Sequence, residues 1–289
     1  MSSTIVFIGL GAIGLPMAES IARAGLPVLG VESSSEGRER AATAGISSVE
    51  SLADAGPLST VVVMVATAEQ LSTVVETALA ANSVAGSRWI VMSTVGSDAV
   101  HREAARLGAA GAHVIDAPVS GGVARAATGD LALFVSGADD DIAAVRPVLE
   151  AMGSPRVVGE SVGDGQSVKV VNQHLCAVHV VAAAEALALT EALGLDPAFV
   201  LDVVGQGAAQ SFMLGDRGPR MLQGEDAPVR SQIGIFVKDT GLVAEAAIAA
   251  GISLPVLEAA RGRFLRADAA GLRTRDDSSV IETYRTVGA

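Results

Sequence analysis

A lysine and an asparagine lie three residues apart in a segment that follows a glycine-rich turn, Gly163–Gln173. Positions three apart share one face of a helix, so Lys169 and Asn172 can both point at one small polar substrate. Partial removal of a lysine from water favours its neutral amine. Such an amine can accept a hydroxyl proton or return it. The pair therefore predicts proton-transfer chemistry on a hydroxyl-bearing substrate.

A solvated surface lysine is the alternative interpretation of Lys169. The stripe that continues from Lys169 at helical spacing contains Gln173, Cys176 and Val180. This stripe mixes polar and apolar side chains, which favours a cleft over open solvent.

The beginning of the chain carries a glycine-rich turn between a strand pattern and a helix pattern. Its residues are Gly9, Leu10, Gly11, Ala12, Ile13 and Gly14. In this context the first glycine permits a tight turn, the second lets the backbone approach a pyrophosphate, and the third allows close helix–strand packing. The helix N-terminus then offers unpaired N–H groups to the phosphates. A glycine turn of purely structural function has the same pattern, so the assignment of a dinucleotide site needs a second signal.

That signal is Glu32, which directly follows the predicted strand Val28–Val31. An acidic residue about 20 positions after the glycines typically binds a ribose hydroxyl. A carboxylate at this position repels a 2′-phosphate, which predicts NAD as the cofactor. NADP stays possible because Arg38 and Arg40 follow nearby and could bind a phosphate.

Other candidate residues follow the carboxyl ends of predicted strands, where ligands of doubly wound sheets bind. The segments are Met64–Thr67, Ser93–Val95 and Asp116–Gly122. Val65 and Ala66 of the first segment are predicted to contact the cofactor. Ser120, Gly121 and Gly122 offer a hydroxyl and unobstructed backbone N–H groups, which suits a substrate carboxylate. A plain glycine turn after a strand is the alternative for the last three.

The elements that must position these residues change type along the chain. Strand patterns in the first half alternate with helical patterns, and they are Thr4–Ile8, Val28–Val31, Thr60–Val65, Trp89–Met92, His113–Asp116 and Leu131–Ser136. This alternation predicts an α/β Rossmann domain with a doubly wound, mostly parallel sheet over residues 1–162. After Gly163 the strand patterns almost vanish and a long helical pattern runs from Ser167 to Leu193. We therefore expect an all-α domain over residues 163–289, with an irregular segment at Arg217–Ser231.

Composition excludes several classes of partner. Half of the 289 residues are hydrophobic and the formal net charge is −12, which argues against a nucleic-acid partner. The N-terminus lacks the pattern of a signal peptide, and no uncharged apolar run reaches the roughly 18 residues that span a membrane. These features predict a cytoplasmic protein without a membrane partner.

Neither the single cysteine, Cys176, nor the four histidines form a metal-binding pattern. We expect no metal site and no intrachain disulfide.

These motifs resemble those of the β-hydroxyacid dehydrogenase family, which includes 3-hydroxyisobutyrate and tartronate semialdehyde enzymes. The resemblance lies in the segments Gly9–Ala18, Asp116–Gly122, Gly163–Gln173 and Phe236–Asp239, in that order. It implies a Rossmann domain followed by a helical domain that builds a homodimer or homotetramer. It further implies a catalytic acid/base at Lys169 and a small hydroxy-acid substrate.

The resemblance implies further roles for individual residues. Asn172 would orient the substrate, Ser120, Gly121 and Gly122 would bind its carboxylate, Thr94 would lie beside the nicotinamide, and Lys238 would close over cofactor and substrate.

Two stretches are similar to the L-threonate dehydrogenase branch of the family, Leu175–Ala186 and Asp276–Glu282. Two residues depart from the pattern. That branch often carries histidine in place of Asn172, and relatives often place tryptophan at the substrate-binding position of Phe212. Phenylalanine is smaller and donates no hydrogen bond, so the pocket would differ in shape and polarity.

Together these features predict an NAD-dependent oxidoreductase that transfers hydride between nicotinamide and the hydroxyl carbon of a small 3-hydroxy acid, such as threonate or 3-hydroxyisobutyrate. Two alternatives stay open. One is an imine reductase-like enzyme, although such enzymes usually replace the lysine. The other is a non-catalytic dinucleotide-binding protein, which would not need to keep Lys169 and Asn172.

Overall fold

A mostly parallel β-sheet organises the first part of the chain. The computed structural model describes residues 4–81 and 84–285. Its strands are β1 Ile5–Ile8, β2 Val28–Val31, β3 Ser48–Val49, β4 Thr60–Val63, β5 Arg88–Val91, β6 His113–Asp116, β7 Val119–Ser120, β8 Leu131–Ser136 and β9 Gly153–Gly159. They lie in the order β3-β2-β1-β4-β5-β6-β8-β7, and β9 pairs with β8. All neighbours from β3 to β6 are parallel, whereas β8 is antiparallel to β6 and β7.

Helices connect these strands and cover both faces of the sheet. They are α1 Gly14–Arg23, α2 Ser35–Thr43, α3 Ala68–Ala80, α4 Ser97–Ala109, α5 Gly122–Thr128 and α6 Asp139–Met152, with a 3₁₀ turn at Leu52–Ala55. Successive strand residues point to opposite faces, and neighbours on β1 accordingly enter different cores, with Phe7 in one and Val6 in the other. Strands buried on both faces read as continuous apolar runs. The predicted Rossmann architecture is therefore confirmed.

The described residues from Asp164 onward are mainly helical, as predicted. The helices are α7 Asp164–Ala192, α8 Pro197–Gly205, α9 Phe212–Gln223, α10 Ile233–Ala250, α11 Pro255–Ala269 and α12 Glu282–Arg285, with 3₁₀ turns at Gly224–Asp226 and Asp277–Ile281. Their core contains the stacked rings of Phe236 and Phe264, whose centroids lie 4.8 Å apart.

The chain divides into two compact units, residues 1–169 and 170–289, and the division falls inside α7. A domain boundary after residue 162 stays a prediction. By length and composition α7 could cross a membrane, which the sequence did not lead us to expect. However, Ala177, Val180 and Leu187 of α7 are buried in the core of the second unit, as is typical of a core helix.

The segment predicted to be irregular is helical as far as Gln223, despite Pro219 inside α9. Tertiary contacts account for the difference. The guanidinium of Arg220 donates to Asp276 at 2.9 Å, and that of Arg217 donates to Asp277 at 3.0 Å. These buried ion pairs join α9 to a segment more than fifty residues further along the chain, where a local sequence pattern gives no sign of them.

Candidate functional site

The glycine-rich turn after β1 is shaped by close backbone contacts at two of its three glycines. Gly9 has a φ of 93°, and a Cβ there would lie 2.3 Å from the carbonyl oxygen of Met64. A Cβ at Gly14 would lie 1.9 Å from the carbonyl oxygen of Gly9. At Gly11 a Cβ would meet nothing within 4 Å. The first and third glycines are thus required by packing, whereas the second leaves open space in front of the helix.

Helix α1 begins at Gly14, and the preceding residue, Ile13, provides no side-chain cap. The first N–H groups of a helix have no intrahelical partner and attract anions. The open surface at Gly11 next to these N–H groups fits the pyrophosphate of a dinucleotide.

The carboxylate of Glu32 lies at the glycine-rich turn. Its Oε2 accepts a hydrogen bond from the backbone N–H of Leu10 at 3.1 Å, and its Oε1 accepts one from Ser34 at 3.0 Å. Both oxygens are therefore held at the end of β2, where the sequence prediction places the ribose. The acceptor capacity that remains on each oxygen suits a hydroxyl donor.

The two arginines that could bind a 2′-phosphate have protein partners. Arg38 donates to the carbonyl oxygens of Glu32 and Ser33 at 2.9 and 2.8 Å. Arg40 forms an ion pair with Glu36 at 2.8 Å on the surface of α2.

Two further cofactor candidates, Val65 and Ala66, follow β4. The N–H of Val65 donates to Ser93 Oγ at 2.8 Å, and that of Ala66 donates to Gln70 Oε1 at 2.8 Å. Gln70 also closes a capping box with Thr67 at the start of α3. This edge of the sheet is therefore held in place by side chains from the neighbouring elements.

The residues predicted to bind the substrate carboxylate lie partly in regular secondary structure, where a turn was expected. Ser120 ends the short strand β7 and pairs with Ala132. Gly121 and Gly122 follow with φ values of 138° and 68°, and α5 begins at Gly122. A Cβ at Gly122 would meet nothing within 4 Å, so this backbone is open to a ligand.

A buried carboxylate, Asp116, closes β6. It accepts hydrogen bonds from the backbone N–H groups of Gln166 at 2.8 Å and Gly163 at 3.2 Å, and from Ser136 Oγ at 3.4 Å. Burial raises the pKa of Asp116 to about 6, although these hydrogen bonds act in the opposite direction. The carboxylate fastens the first turn of α7 to the carboxyl edge of the sheet.

Gln166 extends this connection to the loop after β5. Its Nε2 donates to Asp116 Oδ1 at 2.8 Å and to the carbonyl oxygen of Ser93 at 3.0 Å. Its Oε1 accepts from the N–H groups of Val95 and Gly96, both at 3.1 Å. Neither the side chain of Gln166 nor that of Asp116 was identified from sequence as part of the site. The signal available for Gln166 was its position, one helical turn before Lys169.

Lys169 is buried, with 6% of its surface exposed. The alternative of a solvated surface lysine is therefore wrong. Lys169 lies in the first unit, one turn along α7 from Gln166. Lys169 and Lys238 are also the only lysines in the sequence, and all other basic side chains apart from histidine are arginines. The composition alone therefore distinguishes these two lysines, although the prediction was made from motif spacing.

In the second unit, hydrogen bonds connect two of the predicted residues. Asn172 Nδ2 donates to Gln173 Oε1 at 2.8 Å, and Gln173 Nε2 donates to Asp239 Oδ2. The other oxygen of Asp239 pairs with Lys238 Nζ at 2.8 Å. Asn172 and Lys238 thus share a chain of polar contacts that includes two side chains sequence reasoning did not select.

The last predicted residue, Phe212, is an exposed side chain at the first position of α9, where Ser211 caps the helix.

Within residues 4–81 and 84–285, no group of three or more His, Cys, Asp or Glu side chains could hold a metal ion. His113 contacts Asp141 at 3.0 Å near the surface. The thiol of Cys176, the single cysteine of the sequence, accepts a hydrogen bond from Asn172.

Comparison with known proteins agrees with this arrangement. Residues 4–188 match the family model for the NAD-binding domain of 6-phosphogluconate dehydrogenase. Residues 163–284 match the model described as the NAD-binding domain of NADP-dependent 3-hydroxyisobutyrate dehydrogenase. The L-threonate dehydrogenase of Cupriavidus necator is 38% identical over 98% of this chain and 97% of its own length.

The chain belongs to the β-hydroxyacid dehydrogenase family. Like others of this family it is an NAD(P)-dependent hydroxyacid dehydrogenase, so the alternative of a non-catalytic dinucleotide-binding protein is wrong. The crystal structure of a 3-hydroxyisobutyrate dehydrogenase from Salmonella typhimurium superposes with a TM-score of 0.90, at 34% identity, over 97% of this chain and 99% of that one.

An imine reductase from Pseudomonas sp. superposes with a TM-score of 0.64 over 98% of this chain and 99% of that one, at 18% identity. That level of identity shows a shared fold alone, and the imine reductase alternative is not favoured.

Proposed function

We propose that this dehydrogenase transfers hydride between NAD and the hydroxyl-bearing carbon of a small 3-hydroxy acid, with Lys169 as the general acid/base. A sugar acid of the threonate type is the first candidate substrate, since the relative from Cupriavidus necator is an L-threonate dehydrogenase. 3-Hydroxyisobutyrate is the second candidate, because the Salmonella typhimurium structure is named for that activity.

The observation that carries the proposal is the burial of Lys169 on a helix fastened to the carboxyl edge of the sheet. Ligands of doubly wound sheets bind outside this edge. A buried amine there is shielded from bulk water, which favours its neutral form. A lysine must be in its deprotonated, neutral form before it can accept a proton.

Each step of the reaction has a candidate group in the chain. The open backbone at Gly122, together with the hydroxyl of Ser120, would bind the substrate carboxylate. Lys169 Nζ would accept the hydroxyl proton during oxidation and return it during reduction. When bound, NAD would provide the nicotinamide ring that accepts the hydride. The residues present fit this cofactor, because the glycine-rich turn offers an open backbone surface and Glu32 lies beside it.

NAD rather than NADP is proposed because the carboxylate of Glu32 would repel a 2′-phosphate. The engagement of Arg38 and Arg40 with protein acceptors supports the same choice. We further propose that the enzyme is cytoplasmic and that it assembles as a homodimer or homotetramer.

Lys169→Ala is expected to lower kcat by about 10²–10⁴-fold, as is typical for the loss of a general acid/base. Binding of NAD, measured by calorimetry, should persist. Lys169→Arg keeps a positive charge but does not deprotonate at working pH, so it should lose as much activity. Recovery of kcat in the arginine variant would show that the charge of Lys169 matters and its proton does not.

The substrate is tested by following NADH formation with L-threonate, 3-hydroxyisobutyrate and related small hydroxy acids, with NAD and NADP run in parallel. Turnover of L-threonate with the highest kcat/KM would support the threonate assignment. A higher kcat/KM for 3-hydroxyisobutyrate would reassign the substrate and leave the reaction class unchanged.

A further inference from the structure

The side-chain amide of Gln166 uses its full hydrogen-bonding capacity inside the first unit. Both hydrogens of Nε2 have acceptors, and both lone pairs of Oε1 have donors. The residue is 1% exposed. A buried amide with four protein partners has one defined position, because any displacement leaves buried polar groups unpaired.

The partners of Gln166 lie on both sides of Thr94. Ser93 precedes Thr94, and Val95 follows it. Gln166 itself belongs to the first turn of α7, and Lys169 lies one turn further along the same helix. A single side chain therefore fixes the loop that carries Thr94 relative to the helix that carries Lys169.

The carboxylate of Asp116 determines which way the amide of Gln166 points. An ionised carboxylate only accepts hydrogen bonds, so the amide nitrogen must face Asp116. The amide oxygen then faces the N–H groups of Val95 and Gly96. A flipped amide would place its oxygen against the carboxylate and its nitrogen against two N–H donors.

Close packing leaves little room for the helix to move. A Cβ at Gly165 would lie 2.4 Å from the carbonyl oxygen of Phe134 and 2.8 Å from Asp116 Oδ2. The first turn of α7 is thus seated directly on the end of the sheet.

We propose that Gln166 is a positioning residue for proton transfer by Lys169, and that Asp116 orients it. The inference rests on the proposed function of Lys169. Gln166 acts by holding the helix and the Thr94 loop in a fixed relation, and a misplacement of about 1 Å can cost about 10²-fold in rate.

The variant Gln166→Glu tests this role with almost no change in side-chain volume. One carboxylate oxygen would still accept from Val95 and Gly96. The other would face two acceptors, the carboxylate of Asp116 and the carbonyl of Ser93. We expect kcat to fall by about 10²-fold, while the dissociation constant for NAD changes little. We also expect the pH dependence of kcat to shift, because the surroundings of Lys169 change.

The double variant Asp116→Asn/Gln166→Glu supplies the rescue. Its asparagine amide can donate to the new carboxylate, which restores one of the lost hydrogen bonds. We expect kcat to recover in part relative to Gln166→Glu alone. Gln166→Met keeps the side-chain volume and removes all four hydrogen bonds, but it introduces no repulsion with the carboxylate of Asp116. It should therefore also lower kcat.

Leu149→Ala is the control for a loss of stability. Leu149 is a fully buried side chain of α6 in the core of the first unit, so its truncation leaves a cavity there and keeps the hydrogen bonds from Gln166 to the Thr94 loop in place. Urea unfolding, followed by the fluorescence of the buried Trp89, should show a loss of stability, while kcat stays close to the wild-type value. Trp89 is the only tryptophan in the sequence and reports on the first unit.

The outcomes separate the two proposals. If Lys169→Ala abolishes turnover but Gln166→Glu keeps wild-type kcat, the positioning role is wrong and the proposed function stands. An equal loss of kcat in Leu149→Ala and Gln166→Glu would also overturn it, since general destabilisation would then explain the effect. If Lys169→Ala keeps full turnover, the role of Lys169 is wrong and the positioning role is overturned with it.

Discussion

At the scale of single residues, the carboxylate of Glu32 is already oriented by protein donors. The N–H groups of Leu10 and Ser34 fix its two oxygens, and its methylene carbons pack against Gly37, where a Cβ would lie 2.6 Å from Glu32 Cγ. A cofactor hydroxyl therefore meets a preorganised acceptor, which reduces the entropy cost of binding.

Glu32→Ser is expected to change the cofactor preference. Removal of the negative charge relieves the repulsion of a 2′-phosphate, so the ratio of kcat/KM with NADP to that with NAD should rise by roughly tenfold, equivalent to about 1.4 kcal/mol. Steady-state kinetics with both cofactors measure the ratio. Glu39→Ser removes a nearby exposed carboxylate on α2, leaves the ion pair of Arg40 with Glu36 intact and serves as the control. An unchanged ratio in Glu32→Ser would mean that other residues select the cofactor.

The buried carboxylate of Asp116 makes a pH-dependent contribution to stability. Because burial raises its pKa from 3.8 to about 6, the folded state binds this proton more tightly than the unfolded state. The free energy of unfolding contributed by Asp116 therefore falls as pH rises between these two values, by about 3 kcal/mol. The ionised form of Asp116, which orients Gln166, therefore lowers the free energy of unfolding.

Asp116→Asn should remove this pH dependence. Relative to the wild type, the variant should gain free energy of unfolding between about pH 4 and pH 6.5, the range set by the two pKa values. Urea unfolding followed by Trp89 fluorescence at several pH values measures the difference. A difference that stays constant with pH would show that Asp116 is not desolvated in the folded state.

Sequence patterns point to individual chemical groups, but they do not show the long-range hydrogen bonds that position these groups. Lys169, Glu32 and the three glycines of the first turn are candidates that residue type and spacing selected. The partners of Gln166 lie 50 to 73 positions away in the sequence. No local periodicity encodes such contacts, so the link to Asp116 and Ser93 emerged only from the folded chain.

At the scale of elements, long or strongly patterned segments were predicted well and short ones were not. The strands from β1 to β6 were expected within a few residues, except β3, which has only two residues and pairs with β2. The two-residue strand β7 was read as part of a turn. Such short strands depend on a neighbouring strand for their hydrogen bonds, and a single-sequence pattern does not show the neighbour.

The glycine-rich turn gives a prediction that separates packing from ligand binding. Gly14→Ala would place a Cβ against the carbonyl oxygen of Gly9, so both stability and cofactor affinity should fall. Gly11→Ala meets no protein atom within 4 Å, so stability should be nearly unchanged while NAD binds more weakly, because the added methyl occupies the space of the pyrophosphate. Thermal unfolding and calorimetry distinguish the two. Wild-type NAD affinity in Gly11→Ala would contradict the placement of the pyrophosphate.

At the scale of the whole molecule, large apolar side chains are exposed unevenly. Among the described residues, every exposed large apolar side chain except Val157 lies in the second unit. Several lie along a second face of α7, opposite to the buried one, including Val171, Leu175 and Leu189. Contiguous exposed apolar surface commonly marks a protein interface, and the net charge of −12 keeps the rest of the surface hydrophilic.

This distribution supports the proposed assembly as a homodimer or homotetramer, which is tested by the mass in solution. Light scattering coupled to size-exclusion chromatography should give two or four times the chain mass of 29.0 kDa. Leu189 is 58% exposed on α7, and Leu189→Glu should shift the mass towards a single chain, because an interface would bury the new charge without a partner. Val157→Glu, an equivalent change at an exposed site of the first unit, should leave the mass unchanged. A wild-type mass of one chain at micromolar concentration would contradict the assembly and leave the apolar face of α7 in water.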